Sequence, residues 1–169
     1  MPFSDRAGDW WYEQKILEIS PKTVLDVGAG AGKYGDMCRS LLPDSRLTAI
    51  EIWEPYIEKF GLLQKYDEVL VKDIKLNENF EYDLVIFGDV LEHMSEQEAV
   101  EIWDKAIAQA GSVILSIPTQ HSPQGEYEGN SHEIHVVDDW NDERVLGSFN
   151  SIYEYKNFGL TSGFIGTQR

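Results

Sequence analysis

Cysteine is almost missing from this chain: Cys38 stands alone, so no internal disulfide closes, which excludes a small disulfide-held scaffold. Long apolar runs are missing too. None approaches the ~20 residues that cross a bilayer, and the opening MPFSDRAGDWWYEQK lacks the basic start and apolar stretch of a signal peptide. The expectation is a cytoplasmic protein, neither membrane-spanning nor exported. Basic residues are scarce, 14 against 30 acidic ones, for a formal charge of −16. A phosphate backbone is a poor partner for such a surface unless the few Lys and Arg cluster, so nucleic acid is not the expected ligand. The acidity itself reads most simply as solubility.

What is present is an alternation of strand and helix patterns, without repeats or low-complexity tracts, along a length that suits one domain over residues 1–169. Residues 8–20 form an amphipathic helix through Trp11, Tyr12, Ile16 and Ile19, stopped by Ser20-Pro21. Strands are expected at 23–27, 47–51, 68–72, 82–87 and 112–117. Between them lie helices carrying Tyr34, Met37, Cys38 and Leu41, then Tyr56, Ile57, Phe60 and Leu63 behind Pro55, then Ala99, Ile102, Trp103 and Ala106 behind a Ser95–Glu98 capping box. The run at 82–87 is apolar at nearly every position, as in a central strand covered on both faces. Pieces at 152–155 and 164–167 flank Asn157-Phe158-Gly159 and predict an antiparallel hairpin. An α/β fold with a mostly parallel sheet follows.

The segment VLDVGAGAGKYG at 24–35 joins a strand to a helix, and its glycines let the backbone turn sharply and approach a ligand, with N–H groups at the helix start. A phosphate-binding P-loop needs Ser or Thr after Lys33 and a glycine where Val27 stands, and Tyr34 and Val27 break that match. Gly30, Gly32 and Gly35 satisfy the dinucleotide pattern G-x-G-x-x-G literally, with Glu51 near the spacing of a ribose-binding acid. The glycine string nevertheless starts one step early for that register. Asp26, two residues before Gly28, ends the first strand with a carboxylate suited to the amino group of a methionine moiety.

The string Asp26-Val27-Gly28-Ala29-Gly30-Ala31-Gly32 resembles the first motif of the class I S-adenosylmethionine-dependent methyltransferases. The resemblance continues in order through Glu51, through Asp73-Ile74, through YDLVIFGDVLEHM at 82–94 and through SVILSIPT at 112–119, and covers nearly the whole chain. It implies a Rossmann-like, seven-stranded sheet in the order 3-2-1-4-5-7-6, with helices on both faces and a C-terminal hairpin. It implies S-adenosyl-L-methionine as cofactor, held by Asp26, Gly28, Ala29, Gly30, Tyr34, Glu51, Ile52, Asp73, Ile74, Gly88 and Asp89. Glu51 would take both ribose hydroxyls, Asp73 the adenine amino group and Ile74 the ring face, while Gly88 and Asp89 line the cofactor and the mouth of the active site.

The reaction so implied is methyl transfer to oxygen or nitrogen of a small or medium-sized acceptor. A hydroxyl acceptor needs a base, and the irregular stretch at 118–140, with His121, His132 and His135, is where one is expected. His121 or His135 is the chosen candidate. The leading reading uses no metal, and Glu92-His93 then serves local structure. A second reading gathers Asp89, Glu92, His93 and one of His132 or His135 around a metal, an arrangement similar to that of small-RNA ribose 2'-O-methyltransferases, although Asp89 stands where those enzymes have Glu. A third is a cofactor-binding protein without catalysis. Trp10, Trp11 and Tyr12 are read either as a lid over the cofactor or as packing. The acceptor site would be completed by the 118–140 loop, the N-terminal helix or a second copy of the chain, in a homodimer.

Overall fold

The computed structural model describes residues 2–168. Five strands run parallel, β1 (Thr23–Val27), β2 (Arg46–Glu51), β3 (Glu68–Val71), β4 (Leu84–Gly88) and β5 (Ser112–Pro118), and β6 (Ile152–Asn157) with β7 (Thr161–Gly166) adds an antiparallel hairpin. The order is β3-β2-β1-β4-β5-β7-β6, the sheet the sequence predicts. The chain winds outward from β1 to β3 and then returns to start β4 on the other side of β1. Strand order reverses there, so a crevice opens beyond the carboxyl ends of β1 and β4.

Both faces of the sheet are covered, which is why its central strands carry apolar residues without alternation. Leu25, Val27, Val85, Phe87, Val113 and Leu115 lie under α5 (Glu96–Gln109), where Ala99, Trp103 and Ile107 are buried. Val24, Leu84, Ile86 and Ile114 lie on the other face under α1 (Asp9–Ile19) and α2 (Lys33–Leu41), with Trp11, Ile16 and Cys38. Ser95 and Glu98 form the expected capping box of α5, and Ser20 leaves α1 in a left-handed conformation ahead of Pro21.

Three differences from expectation have local causes. The helix behind Pro55 splits into α3 (Pro55–Lys59) and α4 (Leu62–Lys65), because Gly61 takes a left-handed φ of +62°. Strand β7 begins at Thr161, since pairing along β5 recruits the small residues Thr161, Ser162 and Gly163, which carry no apolar pattern. A further helix, α6 (Asp142–Ser148), is capped by the Asn141 side chain accepting from Arg144 N–H and buries little besides Val145. Among the described residues no helix is long and apolar enough to cross a membrane.

Candidate functional site

A cavity of about 350 Å³ lies at the carboxyl edge of the sheet. Its walls come from the ends of β1, β2 and β4, from Lys72 to Lys75 after β3, and from residues 130–136 of the irregular stretch. Gly28, Ala29, Tyr34, Glu51, Ile52, Asp73, Ile74, Gly88 and Asp89, all picked from the sequence, line it together.

The glycine loop makes close approach possible. Gly28 sits at φ +67°, and a Cβ there would stand 2.4 Å from Val90 Cγ2. Gly88 leaves room for the ring of Tyr34, which lies 2.2 Å from where a Cβ would be. The loop ahead of α2 is not a row of free donors. Gly28 and Ala29 N–H donate to the Ile50 carbonyl (2.8 and 3.2 Å), Ala31 to Pro2 (3.0 Å) and Gly32 to Ala29 (2.7 Å). Gly30 N–H donates to Glu51 Oε2 at 2.9 Å. Every amide from 28 to 32 is thus occupied within the protein, whereas a pyrophosphate cradle leaves such groups pointing at its ligand.

Glu51 is almost fully buried, and its second oxygen accepts Trp53 N–H at 2.8 Å. Burial raises its pKa, and the two backbone donors work against that shift. Each carboxylate oxygen keeps acceptor capacity beyond its one amide bond. Asp89 has a left-handed φ of +57°, unusual without glycine, and is pinned across to β5: its N–H donates to the Ser116 carbonyl (2.9 Å) and Ser116 Oγ donates to its Oδ1 (2.8 Å).

Asp26 and Gly30 do not line the cavity. Asp26 points to the α2 side of the sheet, 2% exposed, and accepts the Tyr66 hydroxyl, which in turn receives Gly35 N–H at 3.0 Å. Burial pushes its carboxyl up to about 7, with the Tyr66 hydrogen bond pulling the other way. Asp26 therefore fixes the path of the loop into α2. It is not among the residues that line the cavity, where the sequence suggested contact with a ligand's amino group.

The histidines separate. His121 is exposed, has Asp138 Oδ1 at 3.8 Å, and is not at the cavity, which corrects its choice as base. His132 is on the cavity wall, with its ring 6.3 Å from that of Trp53. His93 also lines the cavity, and the ring of His135 lies 4.9 Å from it. Their Nδ1 atoms meet the carbonyls of Ile134 (3.1 Å) and Ser122 (2.5 Å), so each Nδ1 carries the proton and each Nε2 keeps its lone pair. Burial lowers the pKa of both, holding them neutral.

Several wall residues had no signal in the sequence. Pro2 and Ser4 reach the cavity because the segment before α1 crosses the glycine loop, tied there by Lys33 Nζ donating to the Asp5 carbonyl (2.6 Å) and pairing with Asp9 (2.8 Å). Glu133, buried, accepts the Tyr56 hydroxyl at 2.9 Å and draws the 130–134 turn over the cavity. Trp11 and Tyr12 are buried in packing, with Gly163 making room for both rings, and are absent from the cavity wall; the lid reading of this group is not what the fold shows.

Comparison with known proteins gives a consistent outcome. A family model described as a methyltransferase domain matches residues 25–115, from β1 to β5. A ubiquinone biosynthesis O-methyltransferase of Paraburkholderia phytofirmans is 26% identical over 136 residues, covering 67% of this chain and 59% of that enzyme. The chain thus spans under two thirds of that relative. An S-adenosylmethionine-dependent methyltransferase from Clostridium acetobutylicum superposes with a TM-score of 0.70 at 12% identity, covering 95% of this chain and 90% of the other. Human N-acetylserotonin methyltransferase, solved in complex with its methyl donor, gives 0.66 at 14% identity, covering 96% of this chain and 53% of the human one.

Proposed function

This chain belongs to the class I S-adenosylmethionine-dependent methyltransferases, and from that premise we propose that it transfers a methyl group to an oxygen of a small, hydroxyl-bearing acceptor. The observation that carries the proposal is the continuity of the cavity, which runs from Glu51 and Asp73 past Gly28 and Asp89 to His93. The residues fit the cofactor. Glu51 offers two carboxylate oxygens with spare acceptor capacity to a ribose diol. Ile52, Ile74 and Val90 give apolar walls to an adenine ring, and Asp73 stands beside them for its amino group. Gly28 and Gly88, which tolerate no side chain, leave the approach open for the methionine end, with Asp89 and Tyr34 next to it.

When bound, S-adenosylmethionine supplies a sulfonium methyl, whose bond to sulfur breaks as the acceptor oxygen bonds to carbon. The chain's part is to seat the acceptor in line and take its proton. We assign the acceptor to the end of the cavity walled by His93, Met94, Ile134 and Val136. We assign the proton to the His93–His135 pair, which is neutral, with its Nε2 atoms free of protein partners among the described residues. Oxygen is chosen over nitrogen because a hydroxyl becomes a strong nucleophile only as its proton is taken, whereas a neutral nitrogen already carries its lone pair, and because the Paraburkholderia relative is an O-methyltransferase.

The test is transfer of isotope-labelled methyl to a panel of small phenols, alcohols and amines. Label on hydroxylated molecules, lost on His93→Ala, is the expected result. Label on amines alone overturns the choice of oxygen.

A further inference from the structure

The sheet ends on β6, and that edge is left open. Phe158 N–H donates to the Thr161 carbonyl at 2.9 Å and closes the hairpin. Bonded residues alternate along an antiparallel pair, so Glu154 and Lys156 turn their backbone groups to β7, while Tyr155 and Asn157 turn theirs to the free edge. A bulge between Ile152 and Glu154 limits the regular edge to residues 154–157. No proline interrupts it, and among the described residues β7 is its only strand neighbour. The tyrosines along it are half exposed, Tyr153 at 44% and Tyr155 at 46%, the latter stacked on Phe164 with ring centroids 5.5 Å apart.

We propose that the free edge of β6 pairs with β6 of a second copy of this chain, antiparallel and across a two-fold axis at Tyr155, so that the two sheets join. Charge selects that register. With Tyr155 opposite itself, Glu154 faces the partner's Lys156 and Lys156 faces the partner's Glu154, an opposite-charge pair made twice. Both are non-bonded pairs of the ladder, the closer kind, with Cα atoms about 4.5 Å apart. Tyr155 then exchanges two backbone hydrogen bonds with its own copy. Moving the axis to either neighbour sets Glu154 or Lys156 opposite itself, and copies that each carry a formal charge of −16 gain nothing from added like charges. Both side chains are available: Lys156 has no ion-pair partner among the described residues, and Glu154, although it accepts from Lys15 at 2.9 Å, keeps 41% of its side chain exposed.

The seam stands apart from the cavity. β6 lies at the end of the order β3-β2-β1-β4-β5-β7-β6 and contributes no residue to the cavity wall. Each copy therefore keeps its own cavity, and association neither rests on the proposed reaction nor feeds a residue into it.

The test is sedimentation of the full chain across the micromolar range. The expected result is a dimer whose share rises with concentration. Tyr155→Pro removes an outward N–H that β7 does not use and should leave a folded monomer. Lys156→Glu and Glu154→Lys should each weaken association at least tenfold, and an equal mixture of the two should recover it, since each supplies the charges that the other lacks. Lys22→Glu makes the same change of charge at an exposed position just before β1 and should leave association unchanged. The Lys156→Glu monomer should bind S-adenosylmethionine as tightly as the wild type. A wild-type chain that stays monomeric overturns the proposal, as does a dimer that both Tyr155→Pro and Lys156→Glu leave intact, which would place the contact on another face. Methyl-donor affinity lost together with the dimer would overturn the separation of seam from cavity.

Discussion

Asp26, at the floor of the glycine loop, and Glu92, in the turn after β4, are both almost wholly buried, at 2% and 1% exposure, and both have their pKa raised by that burial. Asp26 ends on the Tyr66 hydroxyl and through it on Gly35 N–H, a closed chain of partners inside the apolar layer under α2. Glu92 ends on no protein group, beside two imidazoles that also hold a lone pair in reserve. A buried carboxylate with its partners in place holds a loop. One without them is pushed toward its neutral form by burial. The same residue chemistry at one sheet edge thus ties down a loop through Asp26 and stands without a partner at Glu92.

The largest effect expected from breaking this contrast is at Asp26. Asp26→Ala leaves the Tyr66 hydroxyl buried without its acceptor and opens a void, and should cost about 3 kcal/mol of stability in urea unfolding. A loss under 1 kcal/mol would mean that the chain of partners is not structural. Next comes pH. The folded protein holds the Asp26 proton up to about 7, against an ordinary value of 3.8, so this group's contribution is full below 3.8 and is lost as pH rises through about 7. Asp26→Asn keeps an acceptor for Tyr66 and does not titrate. Wild-type stability should therefore fall relative to that variant between pH 4 and 8, by roughly 1.4 kcal/mol per unit at most. A constant difference would contradict the raised pKa.

Tyr66→Phe removes the middle of the chain and should cost about 2 kcal/mol, less than Asp26→Ala because no large void forms. Smallest, and opposite in sign, is Glu92→Met. An apolar side chain of similar size relieves the unpartnered carboxyl, and unfolding stability should rise by about 1 kcal/mol. A clear loss would show that Glu92 has a structural partner after all.

The fold was legible because its central strands are buried on both faces and its turns carry glycine, proline and capping residues at defined offsets. The cavity wall was legible where it sits directly on strand ends, at Glu51, Gly88 and Asp89. The tie of Asp26 to Tyr66 was not legible, because Tyr66 lies forty residues further along. The choice among His121, His132 and His135 depended on the path of an irregular segment. That path is set by Val136 and Val137 N–H on the Glu92 carbonyl, pairings that leave no periodic trace. The strap at Pro2–Ser4 was equally silent, since its hold on the loop runs through backbone carbonyls and Lys33.

The central claim is that a loop whose amides are all occupied, facing Glu51 across an open cavity, is built for S-adenosylmethionine and not for a pyrophosphate. Calorimetric titration of the wild-type chain and of Glu51→Ala with S-adenosylmethionine, its demethylated product and NAD tests it most directly. The account predicts that both sulfur compounds bind, that Glu51→Ala weakens them at least tenfold, and that NAD gives no heat. Binding of NAD, or sulfur-compound binding untouched by Glu51→Ala, would contradict it.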